Sequence, residues 1–153
     1  MSSYQIQMEK LSDVKDEIEP LLHEHWEEIA VNKDKIKLSV DWDSYDTLEK
    51  SGDLGLYTAR FQGDLVGYLA VISQYNLHYQ EHIYAMSDVV FVHEDHRKSK
   101  AGYSLFKYAE KDLKERGVSV FVVNTKTHKP FDGLMESMEF ELIERTYSKY
   151  LGD

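Results

Sequence analysis

Three basic residues and three small ones follow a strongly apolar segment in the middle of the chain. They read Arg97-Lys98-Ser99-Lys100-Ala101-Gly102 and lead into a stretch with helical spacing of apolar residues. The first N–H groups of a helix have no partner within it, and the helix dipole is positive there. The pattern predicts a pyrophosphate site on the amides of residues 98–103, the last of which is Tyr103. A solvated basic helix start is the alternative.

Asp88 is the only acid inside the apolar segment 83–92 that precedes this site. Strand alternation places it on the side of Val90 and Val92, unless a bulge intervenes. A buried carboxylate needs a partner or a raised pKa, and a raised pKa suits a general base. Asp88 is therefore the first candidate for a catalytic base. The alternative is that it caps a neighbour or pairs with a lysine.

Glu81 and His82 stand at the start of the same segment and are the second candidates for a base. The alternative, which the sequence favours, is an exposed strand end. The chain has no cysteine, and His93 and His96 lie among many charges, as is typical of a solvated loop. We predict no metal site.

The periodicity of apolar residues predicts helices (α) and strands (β) in the order α α β β β α β α β, and these elements must position the residues above. The first helix begins at Ser12-Asp13 and meets Pro20, which is expected to kink or split it. The alternation of strands with helices in the second half implies a mixed sheet with a parallel βαβ step. The other predicted helices are Trp42–Lys50, a helix from Gly102 to Gly117 and a short one over 130–138, and the predicted strands are Leu54–Phe61, Leu65–Ser73, His82–Val92, Val118–Val123 and Phe140–Tyr150.

Length and charge limit the classes of function. The 153 residues, 42% of them apolar and 30% charged, fit one globular domain over 1–153. With 18 basic and 28 acidic residues the formal charge is −10, which argues against nucleic acid and favours a cationic substrate or a basic partner. We expect no membrane span and no signal peptide. A chain without cysteine fits the cytoplasm.

Three segments together resemble the GNAT (GCN5-related N-acetyltransferase) superfamily. The segment 97–102 is similar to the family's Arg/Gln-x-x-Gly-x-Gly/Ala signature, which follows a strand and opens a helix. The stretch Phe61-Gln62-Gly63-Asp64-Leu65-Val66-Gly67-Tyr68 resembles its hairpin, and Leu134-Met135-Glu136-Ser137-Met138-Glu139-Phe140 resembles its last short helix. The resemblance covers about residues 54–150. It implies a mixed, largely antiparallel, twisted sheet of six to seven strands with a central parallel βαβ step and helices on both faces.

The resemblance also implies a cofactor and a reaction. Acetyl-CoA would place its pyrophosphate on Arg97, Lys98, Ser99, Lys100, Ala101, Gly102 and Tyr103, and its pantetheine along the backbone of Phe91 and Val92. The acceptor would be a primary amine that attacks the thioester directly, on a protein lysine, a protein N-terminus or a small cationic molecule. Similar small proteins occur in bacteria and phages.

The sequence departs from the family's pattern at four positions. By spacing, Lys100 stands in the slot of the first signature glycine, His128 in that of an asparagine, Met135 in that of the tyrosine that often protonates the departing thiolate, and Glu139 in that of a later glycine. His128 is kept as a cofactor-binding candidate. The departures at Lys100 and Met135 favour an alternative: a protein that binds CoA, or a partner protein, without efficient transfer. A homodimer with Thr146–Leu151 as an edge strand also stays open.

Overall fold

The computed structural model describes residues 3–153. These residues form one mixed sheet with helices on both faces, as the sequence predicts. The elements in chain order are β1 (Tyr4–Met8), α1 (Leu11–Ile29), α2 (Trp42–Lys50), β2 (Leu54–Phe61), β3 (Asp64–Tyr75), β4 (Ile83–Val92), a 3-10 turn (Glu94–His96), α3 (Ala101–Glu115), β5 (Val118–Val122) and α4 (Asp132–Ser137).

The sheet has the order β1-β2-β3-β4-β5. The first four strands are antiparallel neighbours, and β5 runs parallel to β4 after the α3 crossover. The predicted βαβ step is therefore present. It lies at the edge of a five-stranded sheet within residues 3–153, whereas we expected it at the centre of six to seven strands.

The structure differs from the prediction at both ends of the chain. Tyr4–Met8 forms a strand that we did not predict, although its alternating Tyr4, Ile6 and Met8 all contact the core. Phe140–Tyr150 forms no strand. Phe140 packs edge-on against Phe121, with ring centroids 5.6 Å apart, but no main-chain hydrogen bond joins residues 141–153 to the rest of the described chain.

Two apolar layers cover the two faces of the sheet. Helices α3 and α4 bury Leu105, Phe106 and Met135 on one face. Helix α1 buries Val14 and Ile18 on the other, where α2 also packs. Helix α1 is continuous through Pro20, so the expected split is absent. One missing N–H in a 19-residue helix is tolerated because the buried stripe holds both halves against the sheet.

The β2–β3 hairpin fixes the position of β4. Gln62 and Gly63 form its two-residue loop with φ of 53° and 89°, as a type I′ turn requires. Gly67, a few residues later, lies opposite Val92. A Cβ at Gly67 would stand 2.9 Å from the Phe91 carbonyl oxygen and 3.2 Å from Val92 Cγ2, so β3 and β4 approach closely only because residue 67 is glycine.

Glu139 ends α4 in a conformation that glycine usually adopts. Its φ is +66°, and the next N–H, that of Phe140, bonds the Met135 carbonyl at 3.0 Å. This is the hydrogen-bond pattern of a Schellman cap, in which a non-glycine residue is strained. The position is also where the resembled family has glycine.

Arg60 ties the end of β2 to the chain around α1. Its guanidinium bonds Glu9 at 2.9 Å and Glu17 at 2.8 Å, and only 14% of its side chain is exposed. The hydrogen bond from Arg60 lowers the pKa of Glu17. Partial burial acts to raise the pKa of Glu9, but hydrogen bonds from Arg60 and Thr58 outweigh it and leave that pKa below its usual range.

Candidate functional site

A cleft opens where β4 and β5 part. The two strands pair from Ile83–Val118 to Met86–Val122, and no pair follows. Beyond that point Ser87 Oγ accepts the Asn124 N–H at 3.1 Å, so a side chain replaces the main-chain ladder. The C-terminal half of β4 therefore has an open edge, which we call the cleft edge.

The ladder with β3 decides which main-chain groups face the cleft. The His93 N–H bonds the Val66 carbonyl at 2.7 Å, and Phe91 stands opposite Tyr68. In an antiparallel ladder alternate residues point their N–H and C=O groups to the same neighbour. The main-chain N–H and C=O groups of Phe91 therefore bond β3. Those of Val90 and Val92 point to the cleft edge. The predicted main-chain role fits Val92 but not Phe91, whose buried side chain packs on the α1 face instead.

The turn between β4 and α3 presents a cluster of N–H groups. Those of Lys98, Lys100, Gly102 and Tyr103 have no acceptor in residues 3–153. The Ala101 N–H bonds Ser99 Oγ at 3.1 Å, and this hydroxyl in turn bonds the His96 carbonyl. We call residues 97–103 the amide turn.

Lys100 fits the amide turn without strain. Its φ is −88°, so the position does not need the glycine that the resembled family has there. Its side chain is exposed, as is that of Lys98, and both can add charge to the turn. A Cβ on Gly102 would meet Val92 Cγ2 at 4.0 Å. The amide turn and the cleft edge are thus in contact and form one continuous surface.

The Arg97 side chain points away from the N–H groups of the amide turn. Its Nε donates to the Val92 carbonyl at 2.8 Å, and its Nη2 lies 2.5 Å from Glu28 of α1. The same hydrogen bond lowers the pKa of Glu28. Glu28 therefore offsets the charge of Arg97, which the sequence analysis had assigned to phosphate binding. The guanidinium also hydrogen-bonds the Val92 carbonyl, one of the main-chain groups on the cleft edge.

His128 also lies at the C-terminal end of α1. Its Nε2 is 3.0 Å from the Ile29 carbonyl oxygen, next to the Glu28–Arg97 pair. The residue is exposed. The structure thus brings His128 near the amide turn, although its hydrogen bond is to α1.

Asp88 sits on a β-bulge and faces α2. Ala70 pairs with Val89 and Val71 with Ser87, so Asp88 is the extra residue of β4. The bulge turns Asp88 away from the side of Val90 and Val92, and its side chain is exposed, not buried as we expected. Its Oδ2 accepts the hydroxyl of Tyr45 at 2.5 Å.

Tyr45 and His25 complete this side of the site. The acidic composition of residues 41–46 allows this stretch to line an amine-binding cleft or to form a solvated helix start, so the sequence pointed to Tyr45 only as a member of it and gave His25 no role. Burial and then the hydrogen bond to Asp88 raise the pKa of Tyr45. The His25 ring lies 5.3 Å from that of Phe91, and burial lowers the pKa of His25, which favours the neutral imidazole. Tyr45 belongs to the acidic stretch 41–46, whose Asp41 caps α2 by accepting the Ser44 N–H at 3.0 Å.

Glu81 and His82 lie at the other end of β4. His82 Nδ1 is 2.8 Å from Ser119 Oγ, in a shallow pocket that Tyr79 and Tyr84 also line. At about 3.3 Å per residue, His82 is some 20 Å along the strand from Asp88. The structure does not bring these two groups of candidate bases together.

Within residues 3–153 no three histidine or acidic side chains converge in a way that could hold a metal ion. In the same part of the chain no helix has the length and apolar character of a membrane span.

Comparison with known proteins gives one family and one fold. Residues 15–138 match the family described as Acetyltransferase (GNAT) family. No curated protein matches the sequence.

Solved structures similar to the chain cover nearly all of it. A ribosomal-protein-alanine N-acetyltransferase from Brucella melitensis biovar Abortus 2308 has 22% identity over 98% of this chain and 100% of its own, with a TM-score of 0.72. A transcriptional regulator from Bacillus halodurans C-125 has 20% identity over 97% and 100%, with a TM-score of 0.77. An aminoglycoside acetyltransferase from an uncultured soil metagenomic sample, in complex with sisomicin, has 16% identity over 97% and 95%, with a TM-score of 0.75. At such identities the likeness shows the fold alone.

Proposed function

Because the chain belongs to the acetyltransferase (GNAT) family, we propose that it transfers the acetyl group of acetyl-CoA to a primary amine. The observation that supports this proposal is the continuous surface formed by the amide turn and the cleft edge. It offers four N–H groups without acceptors to a pyrophosphate and an unpaired strand edge to an extended chain. This donor set fits the cofactor.

The residues that would hold the cofactor are those of this surface. The amides of Lys98, Lys100, Gly102 and Tyr103 would bind the pyrophosphate, and the main chain of Val90 and Val92 would pair with the pantetheine. Arg97 must release the Val92 carbonyl for this pairing, and its guanidinium can then remain paired with Glu28. Bound acetyl-CoA supplies the thioester from which the acetyl group is transferred.

Asp88 is the proposed general base. A lysine-like amine has a pKa of about 10.4 in water and must lose a proton before it attacks. The Tyr45 hydroxyl holds Oδ2 of Asp88 and leaves Oδ1 to take that proton, directly or through a water. Tyr45 is then a positioning residue, whose raised pKa keeps it a donor at neutral pH. Glu81 and His82 are too far along β4 to act on the same atom.

The acceptor is proposed to be cationic. The net charge of −10 attracts cations, and the exposed carboxylate of Asp88 faces the side of the cleft formed by α2. The similar folds include enzymes named for an aminoglycoside and for a ribosomal-protein alanine, so both a small amine and a protein N-terminus fit this proposal. The proposal places the reaction in the cytoplasm, in keeping with the cysteine-free chain.

One observation favours a second function, namely cofactor binding without efficient transfer. Met135, in the slot of the family's tyrosine acid, is only 7% exposed and packs in the core. A thioether has no proton to give, so the chain supplies no acid at this position. For the first function, water must take that role.

The first experiment is thermal unfolding with acetyl-CoA. A ligand at about 100 times its Kd adds about 2.7 kcal/mol to the free energy of unfolding, or roughly 5–11 °C for a domain of this size. We expect this shift for the wild type, a smaller one for Lys100→Glu, and a wild-type shift for Lys111→Glu. Lys111 is the matched control, because it is exposed on the same helix. No shift at millimolar acetyl-CoA would refute both functions.

The second experiment separates the two functions. Release of free thiol is followed with a panel of a polyamine, an aminoglycoside and a peptide with a free N-terminus. We expect turnover with at least one amine, and a loss of about 10²–10⁴-fold in kcat for Asp88→Asn with binding of acetyl-CoA unchanged. Binding without turnover on the whole panel would favour the second function.

A further inference from the structure

One part of the sheet surface is left exposed by the helices of the described chain. Helices α1 and α2 pack on β2, β3 and the last residues of β4, among them Leu54, Tyr68 and Phe91. The first half of β4 and the neighbouring β5 lie beyond these contacts. There Met86 is 50% exposed and Val120 is 37% exposed, although both are apolar.

The pairing of the strands shows which side chains share this surface. Met86 stands opposite Ile72, which packs in the layer under α1. Met86 also pairs with Val122, and Tyr84, two residues earlier, pairs with Val120. Paired residues place their side chains on one side of a sheet, and alternate residues of a strand share a side. We call Tyr84, Met86, Val120 and Val122 the open face, and all four are uncharged.

A pocket lies at the far end of the open face. Tyr79, from the loop before β4, is nearly parallel to Tyr84, with ring centroids 6.3 Å apart and 13° between the ring planes. The hydrogen-bonded pair of His82 and Ser119 completes the lining together with Val120. The volume of about 380 Å³ is near the lower end of the range for ligand pockets. We call it the tyrosine pocket, and its two rings suit an aromatic side chain of a ligand.

The open face leads from the tyrosine pocket to Asp88. Asp88 follows Met86 by two residues, and its partner Tyr45 belongs to α2, which packs on the same side of the sheet. Four residues of strand separate Tyr84 from Asp88, a distance of about 13 Å. An apolar path of defined length therefore joins the proposed base to the tyrosine pocket.

The length and the lack of charge of this path distinguish between the possible acceptors. A polyamine or an aminoglycoside carries further positive charges, and the open face offers no carboxylate to a second ammonium. In an extended peptide the fourth residue lies roughly 10–13 Å from the N-terminal amine, on the same side as the second. An α-amine, with a pKa of about 7.7–8.0, also loses its proton more readily than a lysine does.

We infer that the acceptor is the N-terminus of a polypeptide, whose chain lies extended on the open face and whose fourth side chain, an aromatic one, enters the tyrosine pocket. The amine then stands beside Asp88, where β4 and β5 part and the thioester would lie. The reaction in this inference rests on the proposed acetyl transfer. The binding of the peptide does not, so it can be measured separately.

The first test uses two peptides of identical composition. Ala-Gly-Gly-Phe-Gly-amide has its phenylalanine at the fourth position, and Ala-Gly-Phe-Gly-Gly-amide has it at the third, which points to the other side. Thiol release from acetyl-CoA gives kcat/KM for each. We expect a preference of about 10- to 100-fold for the fourth-position peptide, as burial of an aromatic side chain provides. Equal values, or a preference for a polyamine over both peptides, would overturn the inference.

Tyr79→Ala tests whether the tyrosine pocket causes this preference. Tyr79 is 59% exposed in a loop, so the variant should fold, which circular dichroism checks. The preference should fall below about threefold, through a higher KM for the fourth-position peptide. Tyr75→Ala is the matched control, because Tyr75 is 66% exposed at the same end of the sheet but pairs with Ile83 on the opposite side. The control should keep the preference, and an equal loss in both variants would contradict the inference.

Calorimetric titration of the two peptides in the presence of CoA separates this inference from the proposed function. A Kd at least about fivefold lower for the fourth-position peptide, lost in Tyr79→Ala, supports the inference even without thiol release, and the missing release then counts against acetyl transfer alone. Turnover of other amines with equal Kd values for the two peptides overturns the inference and leaves acetyl transfer in place. Sedimentation gives the last outcome: a mass that changes in Tyr79→Ala while the preference does not would place a second copy on the open face and refute the inference.

Discussion

Gly67→Ala tests the contact that sets the position of the cleft edge. The new Cβ would stand 2.9 Å from the Phe91 carbonyl oxygen and 3.2 Å from Val92 Cγ2. The first of these atoms belongs to the backbone, so β4 must shift to admit the methyl group. Overpacking of this kind costs about 1–3 kcal/mol. For a domain of this size that is a fall in Tm of about 2–12 °C.

The same shift should weaken the cofactor site. Val92 is the residue opposite Gly67, and its main chain belongs to the cleft edge. We therefore expect Gly67→Ala to reduce the stabilisation by acetyl-CoA as well as the Tm of the free protein. Both are read from one thermal unfolding series with and without the ligand.

Gly133→Ala is the matched control. Nothing lies within 4 Å of a Cβ at Gly133, and the residue is inside α4. Alanine should raise stability there by about 0.5–1 kcal/mol. If Gly67→Ala unfolds at the wild-type temperature, the close approach of β3 and β4 does not constrain the cleft edge, and the reasoning fails.

Three further predictions concern other parts of the molecule. Glu139→Gly should raise the free energy of unfolding by about 1 kcal/mol in denaturant titrations, because glycine removes the left-handed strain; an unchanged midpoint would contradict this. Arg60→Met should reduce the free energy of unfolding most at neutral pH, and its difference from wild type should shrink as pH falls below about 4.5. The reason is that Glu9 and Glu17 have lowered pKa values in the fold, so that their stabilising contribution is lost when they are protonated. A difference that stays constant from pH 7 to pH 3 would refute this. Tyr45→Phe should lower kcat and leave acetyl-CoA binding intact, and a changed Kd for acetyl-CoA would show that Tyr45 acts on the cofactor rather than on Asp88.

Local patterns predicted the elements near the site. Leu54–Phe61 and Trp42–Lys50 were predicted with the bounds that the structure gives them. Alternation, helix caps and tight turns depend on neighbours within a few residues, so the sequence carries them directly. The amide turn belongs to this class, since a helix start leaves its N–H groups unpaired wherever it occurs.

What could not be predicted depends on distant partners. The bulge that turns Asp88 toward α2 depends on the register with β3, and its partner Tyr45 is 43 residues away in sequence. The turning of Arg97 to Glu28 crosses 69 residues. The strand predicted over Phe140–Tyr150 has the right composition but pairs with no strand of the described chain. Composition gives strand propensity, whereas pairing is a property of the assembled sheet.

The order of the strands also has a consequence for folding and opening. Strands β2, β3 and β4 are neighbours both in sequence and in the sheet, so they can pair with little loss of chain entropy. Strand β5 must wait for α3 to cross over, and its ladder with β4 ends at Val122. We expect it to dock last and, in hydrogen exchange, to open before the other strands. The wall of the cleft that β5 forms is then the wall that costs the least free energy to move.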